Sequence, residues 1–113
     1  MTTIMIEKSL EGLHKGFTCM GHAGFAKKGQ PDILCSAIST VAIHTINGME
    51  LAGQELDVSE NEETGFMRCV IKGSQATGVK QLMDAFEYTV TKLSEEYGDK
   101  FLQIQFKEVK DNA

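Results

Sequence analysis

The longest stretch without Asp, Glu, Lys or Arg runs from Ile33 to Met49, and Ser, Thr, His, Asn and Gly interrupt it. A membrane-spanning helix needs about 20 predominantly apolar residues, so this run is excluded as one. The opening residues lack the pattern of a secretory leader. Thr2 to Ser9 alternates, carries Glu7, and has no basic segment ahead of an apolar run. The expected compartment is the cytoplasm. Cysteines are few: Cys19, Cys35 and Cys69 form no CxxC pair and no zinc-ribbon spacing, and their odd number points to free thiols. Basic residues are outnumbered, 11 Lys and Arg against 16 Asp and Glu, for a net charge of −5. With no basic stripe to meet phosphates, DNA and RNA are not expected partners. The charge mildly favours encounter with a basic polypeptide, by steering rather than affinity. No internal repeat and no linker segment is present.

What remains is an ordinary globular composition, 42% hydrophobic and 24% charged over 113 residues, which suits one domain (1–113) with its own core. Alternation predicts strands over Thr3–Lys8, with Ile4 and Ile6 on one face, and over His14–His22. Gly12 is the expected turn residue between them. A first helix is predicted from Ile33 to about Ala52, closed by Gly53. Its polar residues are small and mostly uncharged, so it reads as largely buried, with His44 a partly buried, satisfied histidine. Glu55–Ser59 and Phe66–Lys72 read as a hairpin around the acidic turn Glu60–Gly65. Cys69 shares a face with Met67 and Ile71, as a small core hydrophobe. Ser74–Gly98 is an amphipathic helix with Val79, Leu82, Met83, Phe86, Val90, Leu93 and Tyr97 on one stripe. Phe101–Lys107 is a last strand, and Val109–Ala113 is expected to fray. The order ββαββαβ gives an α/β (α+β) fold, a mainly antiparallel five-stranded sheet with two helices.

The chemistry concentrates in residues 21–39, GHAGFAKKGQPDILCSAIS. Asp32 is a favoured N-cap, which makes Ile33, Leu34 and Cys35 the first helical positions. Cys35 then sits in the positive end of the helix dipole. That field is worth about 0.3–1 kcal/mol at an exposed site. One pKa unit is about 1.4 kcal/mol, so the dipole alone does not make a reactive thiolate. A base is needed, and His22, across the loop, is the natural one. Ala23–Pro31, with Gly24 and Gly29 as hinges and Lys27-Lys28 as a solvated tip, reads as a plain connector or as a lid over Cys35. Asp32 reads either as a cap or as a third catalytic member orienting His22. Ser39, one turn beyond Cys35, either bonds near the thiol or packs as a small residue. Gly21 is read as leaving room for a substrate backbone beside His22. Free N–H groups at the helix start, including that of Cys35, are the expected oxyanion donors. If the alternation of the second strand persists to its end, Cys19 and His22 point to opposite sides, which argues against zinc held by Cys19, His22 and Cys35.

GHA, a short glycine-containing loop, and then D-I-L-C-S-A-I-S resemble the bacterial ribosomal-processing cysteine protease family, Prp. The likeness also covers length and element order. It implies that His22 and Cys35 are the catalytic pair and that Gly21, Asp32 and Ser39 are motif positions. Pro31 stands where relatives usually have glycine. The resemblance further implies a homodimer with no cofactor. The implied substrate is the N-terminal extension of a ribosomal large-subunit protein, number twenty-seven, cut after an aromatic residue of a short hydrophobic motif. An apolar S1 pocket follows, with Phe25 as its wall.

Two other classes compete on the residues alone. One is a non-catalytic ribosome-associated binding or assembly module in which Cys35 is incidental. The other is a thiol redox or peroxide sensor, disfavoured because no resolving cysteine adjoins Cys35.

Overall fold

The computed structural model describes residues 1–27 and 29–110. Lys28, and the end of the expected fraying tail (111–113), lie outside the described residues. The elements are β1 (Thr2–Lys8), β2 (His14–Met20), α1 (Ile33–Leu51), β3 (Leu56–Asn61), β4 (Phe66–Ile71), α2 (Val79–Tyr97) and β5 (Leu102–Glu108). This is the predicted order. The five strands form one sheet, β3-β4-β2-β1-β5. All pairings are antiparallel except β1 with β5, which run parallel with Thr2 opposite Leu102.

One face of the sheet carries the core. Ile4 and Ile6 of β1, Phe17 and Cys19 of β2, Cys69 and Ile71 of β4 and Leu102 of β5 bury there. They meet Leu34, Ile38, Ala42, Ile46 and Met49 of α1 and Val79, Met83, Phe86 and Val90 of α2. The rings of Phe17 and Phe86 stack at 4.3 Å between centroids, tilted by 31°. Gly16, at φ +156°, lets β2 and β4 close: a Cβ there would stand 2.3 Å from the Cys69 carbonyl oxygen.

The larger departures from expectation each have a local reason. β2 ends at Met20 rather than at His22, because Gly21 turns the chain at φ +86°. α2 begins at Val79, not Ser74. Gly78 is left-handed at φ +96°, and the Gln54 side chain captures the segment before it, accepting from Ala76 N–H at 2.7 Å and donating to Lys72 O at 2.8 Å. α1 is not largely buried. Its outer face carries one charge, Glu50, among uncharged residues, and Ile43 and Leu51 are exposed there. His44 lies on that outer face, exposed rather than partly buried.

Candidate active site

Asp32 starts α1 as the sequence predicts. Its backbone is extended (φ −92°, ψ 99°), and Oδ1 accepts from the N–H groups of Leu34 at 3.1 Å and Cys35 at 3.0 Å. Oδ2 accepts from Phe25 N–H at 2.9 Å, tying the loop to the helix start. Burial opposes the charge of this carboxylate. The N–H groups of Cys35, Phe25 and Ala26 and the Cys35 side chain outweigh it and hold the carboxyl below its ordinary 3.8. These bonds make Asp32 a cap. Among the described residues none joins it to His22. They also occupy the Leu34 and Cys35 N–H groups, so the helix start does not offer those two as free oxyanion donors.

Cys35 is half-buried at the first turn of α1. Its Sγ accepts from the Ala23 N–H at 3.1 Å. That donor comes from the residue after His22, so the loop's first residue is pinned to the sulfur. His22 follows the Gly21 turn. A Cβ on Gly21 would stand 2.6 Å from the Met1 carbonyl oxygen, so this glycine serves a close approach of the chain's own backbone. The Met1 amine donates to His22 O at 2.7 Å, and Thr2 Oγ1 to Gly21 O at 3.3 Å. The imidazole itself is exposed, with Nε2 bonded to the Glu63 carbonyl at 3.1 Å.

His22, Cys35 and Ser39 line one cavity of about 290 Å³. Its floor is apolar, from Ile38, Ala42, Ile43, Phe66 and Met67, and Glu60, Asn61 and Glu62 of the hairpin form its rim. Among the described residues no hydrogen bond joins the His22 ring to Cys35 Sγ. Active-site bonds are often made only once substrate is in place. Cys19 also lines the cavity, although alternation placed it opposite His22. The Gly21 turn is what overrides that alternation. No group of three or more His, Cys, Asp or Glu side chains among the described residues is arranged to hold a metal.

Phe25 is a correction. Its ring packs edge-on against Tyr97 (5.0 Å, 89°) and Phe101 (5.2 Å, 79°) and forms no wall of the cavity beside Cys35. The apolar wall comes instead from α1 and β4. Sequence reasoning also missed Ala23 N–H and Glu63 C=O as partners of the two central side chains. Both are main-chain groups, which carry no residue-type signal. Gly65, in the acidic turn, was the one hint that this turn packs closely on something.

A model of the family described as Cysteine protease Prp matches residues 1–102. The essential ribosomal processing protease Prp from S. aureus, solved with a covalently linked product peptide, superposes with TM-score 0.85 at 20% identity, covering 95% of this chain and 100% of that one. The S. aureus protease with a substrate peptide gives 0.82 at 19% identity, with the same coverage. A Streptococcus mutans protein gives 0.79 at 23% identity, covering 96% of this chain and 99% of its own. A search of curated proteins finds no match. At these identities the solved structures establish the fold, while the family match runs from the first strand to the start of the last and carries the activity: the chain belongs to the Prp family and is a cysteine protease.

Proposed function

We propose that this protease is an endopeptidase that removes the N-terminal extension of a ribosomal large-subunit protein, number twenty-seven, with Cys35 as nucleophile and His22 as its acid–base partner. The observation that carries the assignment is that the thiol at the start of α1 and the imidazole after β2 line one cavity of about 290 Å³, room enough for a peptide side chain. His22 takes the Cys35 proton and the sulfur attacks the scissile carbonyl. The protonated imidazole then gives its proton to the leaving amine. Water resolves the thioester by the same route. The Ala23 N–H, already aimed at Sγ, stabilises the thiolate and adjoins the position where the oxyanion develops.

The aromatic residue preceding the cut fits the apolar side of the cavity formed by Ile38, Ala42, Ile43, Phe66 and Met67. Ser39 lies on the same wall, within one helical turn of Cys35. The enzyme acts in the cytoplasm as a homodimer, where the ribosomal precursor is made.

The test is incubation of an extended precursor with wild type, Cys35→Ala and His22→Ala. Wild type should release one N-terminal peptide and leave a thioester adduct visible by mass after rapid acid quench. Neither variant should form it. Cleavage by Cys35→Ala would end the assignment. Peptides with Phe or Asp before the cut separate the pocket from the nucleophile, because equal rates for the two would refute an apolar S1 site.

A further inference from the structure

The His22 ring is exposed but not free. Its Nε2 lies 3.1 Å from the carbonyl oxygen of Glu63, in the turn between β3 and β4. A carbonyl oxygen only accepts, so Nε2 carries the hydrogen. In the neutral ring the lone pair is then on Nδ1. The turn is built to deliver that carbonyl. Glu63 N–H donates to Asn61 Oδ1 at 3.1 Å, Thr64 Oγ1 to Asn61 O at 3.3 Å, and Gly65 N–H to Glu62 O at 3.3 Å. Gly65 takes φ +68°. A Cβ there would stand 2.5 Å from Gly21 O and 3.1 Å from His22 Cε1, so no other residue lets the turn lie this close.

We propose that the β3–β4 turn is the positioning element for His22: the Glu63 carbonyl holds the ring in its Nε2–H tautomer, Nδ1 is the base that takes the Cys35 proton, and Gly65 makes the contact possible. The proposal rests on His22 and Cys35 being the catalytic pair. A main-chain carbonyl thus supplies what a carboxylate side chain supplies in a Ser-His-Asp triad, a role the capping bonds of Asp32 leave unfilled. In acylation the S–H bond breaks, its proton passes to Nδ1, and the sulfur electron pair forms the S–C bond. Nε2–H stays on Glu63 throughout. The Nδ1 proton then leaves with the amine as the C–N bond breaks.

Long-range proton–nitrogen correlation spectra of the ring, assigned with His22→Ala, read the tautomer directly. The neutral wild-type ring should show hydrogen on Nε2 and a bare Nδ1. Gly65→Ala should mix the tautomers and lower kcat on a precursor peptide roughly ten- to a hundredfold, as a small misplacement of a catalytic group does. KM should stay within about twofold, since only the chemical step is touched. Circular dichroism establishes that the variant is folded. An Nδ1–H ring in wild type overturns the proposal, as does a folded Gly65→Ala protein with wild-type kcat. If Gly65→Ala does not fold, the wild-type spectrum decides alone. Undiminished cleavage by His22→Ala overturns the catalytic pair, and the proposal with it. An inactive His22→Ala beside an Nδ1–H spectrum overturns only the role of the turn.

Discussion

Burial pushes the Cys19 thiol up to about 12, with neighbouring Cys69 adding to the shift, and the Cys69 thiol up to about 11, with Glu50 and Asp57 adding to it. At pH 8 roughly one Cys69 in a thousand is then thiolate, and still less of Cys19. Of the three thiols only Cys35 is half-exposed; Cys19 and Cys69 are buried. A short iodoacetamide pulse near neutral pH should label Cys35, with Cys19 and Cys69 appearing in peptide mass maps only after denaturation. Equal labelling of all three would contradict this burial. Asp32→Ala should cost about 0.5–2 kcal/mol in a denaturant melt at pH 7. Asp32→Asn should cost less, because Oδ1 survives to cap Leu34 and Cys35 while the Phe25 N–H loses its acceptor. Amide exchange should therefore quicken at Phe25 and not at Leu34. The folded carboxyl lies below its ordinary 3.8, so the wild-type advantage is full above that pH and disappears as pH falls through the lowered value. At this scale Cys35 and its cap were legible, since Asp before an apolar helical run carries a specific signal. Phe25 was misplaced because loop sequence does not say which aromatic partners a ring will find.

Between elements, Glu87 of α2 joins the β1–β2 hairpin to the helix layer. It pairs with Lys8 Nζ at 2.9 Å and with His14 Nε2 at 2.8 Å. Burial opposes its charge, but Lys8 and His14 prevail and hold its carboxyl below the ordinary 4.5. Glu87→Gln should lower stability by about 1.5–3 kcal/mol at neutral pH, the usual worth of a hydrogen bond to a charged group. The gap between wild type and variant should close in thermal melts as pH drops below 4.5. The 23–31 connector is strapped by Ala23 N–H on Cys35, by Phe25 N–H on Asp32 and by the Phe25 ring on Tyr97 and Phe101. If it acts as a lid, a bound peptide aldehyde should change amide exchange across the segment, and unchanged exchange would remove that role. Helix and strand order was legible because the 3.6- and 2-residue periods are strong in α2, β1 and β5. The start of α2 was not, since the bonds from Gln54 that hold residues 74–76 out of the helix come from the far side of the hairpin. The outer face of α1 was not either, because uncharged polar residues look alike whether they meet solvent or core.

For the molecule as a whole, the sheet order β3-β4-β2-β1-β5 was beyond the reach of pattern, since periodicity says what a strand buries and not which strand lies beside it. The dimer is a question at this scale. Light scattering should return twice the 12.4 kDa chain mass at tens of micromolar, and a mass of one chain there would remove the homodimer. The parallel pairing of β1 with β5 has a consequence for the enzyme's own birth. The hairpins and α1 can form as a nascent chain emerges, but β1 keeps an open edge until β5 has been synthesised. Thr2, which bonds Gly21 O, opens that waiting edge strand, and Met1, whose amine bonds His22 O, immediately precedes it. A polypeptide stalled or clipped before Leu102 would thus carry every residue of the cleft and still lack the strand that pairs with β1, so proteolytic competence should arise only once β5 has emerged.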